Sequence, residues 1–191
     1  MTMPNPTSRR RKTLLTIGEL VIYAMLGALM MAADLMMNVI PNVHLGGVLI
    51  VVYTLVYRAK ALFPIYVYVF LIGLYEGFGM WWTAYLYIWA VLWLVVMLLP
   101  KRMPRWLAPV VYGVACASHG FAFGLLYAPV QKITMHLTWS QTMVWVQMGF
   151  LPADVPHGIG NLIGSILIVP LVALLRRLDR QTIKAAPVIQ G

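Results

Sequence analysis

Acidic residues are scarce in this chain: five in 191, against 14 lysines and arginines. Charges of both signs make up only 10% of the residues, where a soluble domain carries about 25%. That excludes an ordinary soluble domain, and the 62% apolar content excludes a disordered one. Cysteine is nearly absent. Cys116 stands alone inside an apolar stretch, so it closes no internal disulfide and reads as packing. Catalytic signatures are missing as well: no H-E-x-x-H, no G-x-S-x-G, no G-x-x-x-x-G-K-[ST] and no paired carboxylates at a recognisable spacing. These gaps argue against an enzyme, against a cofactor and against ATP hydrolysis at a Walker site. Uphill transport by such a chain would draw its energy from a partner or a gradient.

What the chain does hold is apolar sequence, with a mean hydropathy of +0.84. Six membrane spans of about 20 residues need roughly 120 apolar positions, close to what 62% of 191 supplies. The runs predict six helices, at 15–40, 43–57, 61–79, 82–99, 107–128 and 153–175. Pro41-Asn42, the turn from Arg58 to Lys60, Gly77 to Gly79, Pro100 to Pro104, and Pro129 separate them. The second run is short for a span. The first exceeds the 7–15 residues of a signal-peptide core, contains Asp34 and lacks a clear cleavage site, so it reads as a mature helix. The expected architecture is an all-α, polytopic membrane protein, a compact six-helix bundle. Residues 1–14 form a basic cytoplasmic N-terminus, 15–176 the transmembrane substrate-binding domain and 177–191 a cytoplasmic tail.

Charge placement sets the orientation. With the N-terminus inside, six spans leave residues 1–14, 58–60, 100–106 and 176–191 in the cytoplasm. Those segments carry every lysine and arginine except Lys132. One span more or fewer would scatter these charges to both sides, so the sorting predicts an N-in, C-in topology. It also places the basic residues at membrane edges, where they form no nucleic-acid-binding patch. The one long connection, 129–152, then lies outside. It holds Trp139, Met143, Trp145 and Met148. It reads either as a surface-lying connector, with Ser140 capping a short helix, or as a lid.

Ionisable groups inside a membrane are costly, and each is a candidate functional residue. Glu19, near the inner end of the first run, reads as structural. The others cluster towards the outer face: Asp34, Asn38 and Asn42 on or after the first run, His44 before the second, Glu76 ending the third, His119 in the fifth, and Asp154, His157 and Asn161 in the sixth. A proton or ion path needs polar groups through the whole depth, whereas a cavity open to the outside needs them at one end. Asp154, His157 and Asn161, at i, i+3 and i+7, share one helix face. Asp154 also reads as a cap for its own helix, His157 and Asn161 as hydrogen-bonding glue between helices, and His119 as a histidine satisfied between helices. Tyr85, Trp89 and Trp93 continue one face of the fourth helix. His119, Phe123 and Tyr127 do the same on the fifth. Trp81 and Trp82 fit an interfacial aromatic belt, while the deeper Tyr85 and Trp89 could stack on a flat ligand. Ala24, Ala28 and Ala32, with Gly27 alongside, form a small-residue stripe, and Gly160 and Gly164 repeat it. Such a stripe either packs inside the bundle or docks a partner helix.

On its size, its six N-in helices, the Ala24-Ala28-Ala32 stripe and the P-x-D-x-x-H-x-x-x-N run from Pro152 to Asn161, the chain resembles the substrate-binding S components of energy-coupling factor transporters, over residues 15–180. The resemblance implies that the stripe docks a transmembrane coupling subunit driven by two cytoplasmic ATPases. It also implies that a vitamin or related micronutrient binds near the outer surface, walled by Glu76, Tyr85, His119, Asp154, His157 and Asn161. In this sequence Trp89, Asp34 and Asn38 extend the candidate wall. The carboxylates and aromatics suggest a small heteroaromatic ligand carrying an amine or positive charge, such as thiamine or its pyrimidine precursor. Other readings stay open. His44, His119, His157 and Asp154 could make a transition-metal S component, although Thr2 and Met3 stand where the metal-type members have a histidine close to the N-terminus. A stand-alone carrier coupled through Asp34 or Glu76, and a non-transporting membrane scaffold, complete the set.

Overall fold

A computed structural model of the chain describes residues 15–37, 44–100 and 103–185, with side chains described through Arg180. Asn38 and Asn42 lie outside the described residues. Every regular element among those described is helical. The helices are α1 (Ile17–Met37), α2 (Gly46–Tyr57), α3 (Leu62–Glu76), α4 (Trp82–Leu98), α5 (Leu107–Phe121), α6 (Phe123–Thr134), α7 (Trp139–Gly149), α8 (Val155–Gly164) and α9 (Ile168–Ala185). Short 3-10 turns at Arg58–Ala61 and Ser165–Leu167, and a π turn at Phe150–Asp154, join neighbours without a gap. Four stretches are long and apolar enough to cross a membrane: Ile17–Met37, Gly46–Glu76, Leu107–Thr134 and Trp139–Arg180. Trp82–Leu98 is equally apolar but shorter.

The stretch Gly46–Glu76 is two legs rather than one rod. Arg58 takes φ 56° at the junction, and the chain folds back so that Gly46 and Glu76 line the same cavity. The first leg, α2, spans about 18 Å at 1.5 Å per residue, which is short against a hydrocarbon core of about 30 Å. It occupies the centre of the bundle instead of its rim: every residue from Gly46 to Thr54 is buried. Thr54 returns its hydroxyl to the Ile50 carbonyl at 2.7 Å, which spares a buried polar group from being orphaned.

Around this centre, aromatic side chains pin helix to helix through backbone carbonyls. The Tyr53 hydroxyl donates to Leu26 O at 3.1 Å, Tyr66 to Leu86 O at 2.9 Å and Tyr87 to Leu126 O at 2.6 Å. The Trp82 indole donates to Val69 O at 2.7 Å and Trp93 to Arg58 O at 3.1 Å. In an apolar setting each such N–H or O–H needs a partner. Trp82 is therefore tied to α3 as well as half-buried, more than an interfacial belt residue requires. Trp93 points to the Arg58 end and leaves the face shared by Tyr85 and Trp89.

Where helices touch most closely, small residues make the contact. On α1, Gly27 faces α3, and a methyl group there would lie 2.9 Å from the Pro64 carbonyl. Ala24, Ala28 and Ala32 are exposed, so this stripe does not pack inside the bundle. The tight seam is between α5 and α8, where a methyl group on Gly120 would lie 2.8 Å from the Gly158 Cα. Gly164 packs under Val48 and Leu45, as internal packing requires, while Gly160 is only half-buried.

The helix boundaries correct the sequence reading in three places. Pro129 does not end the fifth run; the helix continues through it to Thr134 and breaks instead at Ala122. The third run stops at Glu76, because Gly77 takes φ 92°, a conformation glycine adopts without the strain of a side chain. Segment 129–152 is nearly all helical, and the cap of α7 is Thr138 rather than Ser140. Thr138 Oγ1 accepts from Gln141 N at 3.3 Å while the Gln141 side chain accepts from Thr138 N at 2.8 Å, a reciprocal capping box.

Two ends of the bundle differ in charge. Arg58, Lys60, Arg105, Arg176, Arg177 and Arg180 mark one end, where Lys60 pairs with Glu19. Thr16 and Glu19 also exchange bonds to start α1. Asp34, Glu76 and Asp154 stand at the other end, around the cavity. Replacing Gly120 by leucine should overpack the α5–α8 seam by about 1–3 kcal/mol and lower the melting temperature in detergent. Gly149→Ala, at a site with open space around it, should leave that temperature nearly unchanged.

Candidate functional site

The break at Ala122 creates the site. It leaves the first amides of α6 without intrahelical partners, and Asp154 supplies one. Asp154 Oδ1 accepts from Gly124 N at 2.9 Å. Asp154 makes no cap on α8; it caps a different helix, 30 residues earlier in the chain. The carboxylate is buried, and the favourable end of the α6 dipole lies beside it.

In front of it opens a cavity of about 460 Å³, within the size range of small-molecule sites. Asp34, Glu76 and Asp154 line it, together with His44 and His157. Aromatic walls come from four helices: Tyr68 on α3, Tyr85 and Trp89 on α4, Phe123 and Tyr127 on α6, and Trp145 on α7. Gln131 and Gly149 complete the face formed by the α6–α7 hairpin. No lysine or arginine is among the described lining residues. Three carboxylates in a partly desolvated space favour a cationic occupant, because the attraction between charges grows as the local dielectric falls.

Asp34 has a neighbour at each oxygen. Its Oδ2 accepts from the Tyr68 hydroxyl at 3.3 Å, and Oδ1 lies 2.7 Å from His44 Nδ1. His44 and His157 stand 5.4 Å apart, centroid to centroid. The His157 ring stacks on Phe123 at 4.8 Å with 17° between planes. Trp89 meets Tyr85 edge to face at 5.5 Å and Tyr68 at 6.1 Å. The Trp89 indole nitrogen is buried without a hydrogen-bond partner among the described residues. A buried N–H of this kind costs about 1–3 kcal/mol when left unpaired.

Of the residues expected at the site, Asp34, Glu76, Tyr85, Trp89, Asp154 and His157 come together on this cavity. Asn38 lies outside the described residues. His119 and Asn161 are not lining residues, which corrects the sequence reading for both. The His119 Nε2–H donates to Ile88 O at 3.0 Å, so this ring ties α5 to α4 behind Trp89. It does not join His44 and His157. Asn161 sits a turn deeper on α8 and donates from Nδ2 to Cys116 O at 3.1 Å; a methyl group on Gly47 would lie 2.9 Å from its Oδ1. Both are the interhelical glue that their chemistry allowed. Phe123 and Tyr127 were legible as a face continuing from His119. The break at Ala122 turns them into the cavity and leaves His119 outside it. Tyr68 and Gln131 carried no signal in the sequence, and Trp145 only as part of a possible lid; packing brings the three to one cavity.

Comparison with known proteins finds no relative: no family model matches the chain, and no curated protein or solved structure is similar to it.

Asp154 joins a structural bond to a charged lining, and two substitutions separate them. Asp154→Ala removes the α6 cap and should lower stability by about 1 kcal/mol, read as a fall in melting temperature. Asp154→Asn keeps an oxygen for Gly124 N and should melt within a degree or two of the parent, while the negative charge facing the cavity is lost.

Proposed function

We propose that this chain is a substrate-binding S component of an energy-coupling factor transporter, crossing a prokaryotic cell membrane six times with both termini in the cytoplasm. It captures a vitamin or related micronutrient from outside, and a transmembrane coupling subunit with two cytoplasmic ATPases drives uptake. The observation that carries this reading is the cavity itself. It lies at the end of the bundle opposite Arg58, Lys60, Arg105 and the α9 arginines, walled by Asp34, Glu76, Asp154 and aromatic rings. The positive-inside rule turns that end outward. Deeper in the bundle, His119, Asn161 and Ser165 are each tied to a backbone carbonyl. That suits capture at a surface better than an ion path through a stand-alone carrier.

The cavity chemistry narrows the occupant. Stacking surfaces and carboxylates together fit a small heteroaromatic ring bearing an amine or a positive charge. The α6–α7 hairpin, which contributes Gln131, Trp145 and Gly149 to the lining, is the lid of this site. Ala24, Ala28 and Ala32, exposed along α1, form the face for the coupling subunit, since small side chains let a partner helix approach closely.

Mass spectrometry of small molecules that co-purify with the protein in gentle detergent tests the reading. One enriched heteroaromatic amine, present with the parent protein and reduced at least tenfold with Asp154→Asn or Glu76→Gln, is the expected result. A tightly held anionic vitamin that neither substitution affects would exclude the proposed ligand chemistry. An empty, well-folded protein would count against a binding component altogether. Ala28→Trp separately tests the docking face. It should abolish uptake in cells that carry the coupling subunit and ATPases, with ligand affinity intact; a loss of affinity would refute the assignment.

A further inference from the structure

A second cavity lies at the other end of the bundle. It is a groove of about 390 Å³ between α5 and α9, floored by Leu55 of α2. Its walls are apolar, with Val169 and Val172 on one side and Tyr112 on the other. Two cations stand in the lining: Arg105, just before α5, and Arg176 on α9. Neither is neutralised within the described residues. Arg176 donates one bond, from Nη2 to Leu55 O at 3.2 Å, which leaves most of its guanidinium donors available. Arg105 makes no hydrogen bond or ion pair among those residues, and no carboxylate lines the groove. The nearest acid on α9, Asp179, acts on Tyr23 and Tyr57, towards α1 and α2.

An apolar trough that ends in two guanidinium groups with no acidic partner among the described residues has a specific complement. A free metabolite anion would use the arginines and leave the trough empty. An uncharged lipid would fill the trough and leave the arginines unpaired. A molecule with an acyl chain and an anionic phosphate satisfies both. We infer that this groove binds an anionic phospholipid, with the headgroup phosphate at Arg105 and Arg176 and an acyl chain along Val169, Val172 and Tyr112. Arginine suits the role because its planar fork pairs with phosphate oxygens two at a time. The bound lipid would wedge α5 against α9 at the basic end, away from the acidic cavity. The inference therefore goes beyond the proposed function and does not depend on it.

Native mass spectrometry of the full chain released from nanodiscs of equal dioleoyl-phosphatidylglycerol and dioleoyl-phosphatidylcholine tests it. The parent protein should retain phosphatidylglycerol in preference. Arg105→Gln/Arg176→Gln should reduce that preference by roughly 30-fold, as two cations near a lipid surface imply. Ala173→Phe, which fills the groove and spares both arginines, should lower retention of either lipid and keeps the test sound if the double variant folds poorly. Equal preference for phosphatidylglycerol in the parent and the double variant would overturn the assignment, as would unchanged retention in Ala173→Phe. Retention of inorganic phosphate with no retained lipid would show an anion site without a lipid site, and would overturn it too.

Discussion

The bond from Gly124 N to Asp154 Oδ1 is the contact on which the rest of the site depends. It arises from a break in a long apolar helix, at Ala122. A helix that breaks in a low-dielectric interior exposes amides that water cannot reach. The carboxylate satisfies one of them, and in doing so fixes where α8 starts relative to α6. That fixes His157 one turn on, stacked against Phe123. The position of the α6–α7 hairpin over the cavity follows from the same bond.

The same rule, that polar groups in an apolar interior need partners, sorts the remaining candidates. His119 spends its Nε2 proton on the Ile88 carbonyl, and Asn161 spends its amide on Cys116. Both are consumed by the bundle. Asp34 is held by Tyr68 and His44 but still borders the cavity. Glu76, at the exposed end of α3, stands at the rim. Thus the deeper candidates are each tied to a backbone carbonyl. The candidates that remain open to a ligand all border the acidic cavity.

The outer surface of the bundle divides in the same way. α1 gives its Gly27 side to α3 and leaves its alanine stripe free. Large apolar side chains such as Leu29, Phe70, Leu94 and Leu174 remain exposed around the bundle, as lipid contact requires and water would penalise. A bundle so apolar on its outside has few places to hold a charge. The concentration of arginines at one end, with Asp34, Glu76 and Asp154 at the other, is the main asymmetry it carries.

Much of this was determined by the sequence alone. Apolar runs bounded by glycine, proline and basic turns dictate helices, and a chain with so few charges leaves no other solution that satisfies its backbone. Asp34, Glu76, Asp154 and His157 could be named as candidates because a charge among apolar residues is expensive wherever it lies. Their sorting to one end could be read from the arginines and lysines that mark the other. Tertiary structure alone decided which of them share a cavity. Spacing along a helix names neighbours but not their roles: Phe123 borders the cavity, while His119, 6.3 Å away between ring centroids, turns to the Ile88 carbonyl. Depth also decided, for Asn161 shares a face with Asp154 and His157 yet lies one turn too far in, where a carbonyl of α5 takes its amide. The tight α5–α8 seam and the Tyr68 and Trp145 walls belong to packing as well. Glycine and aromatic residues are common in apolar helices, and only a neighbour's position makes one of them a contact.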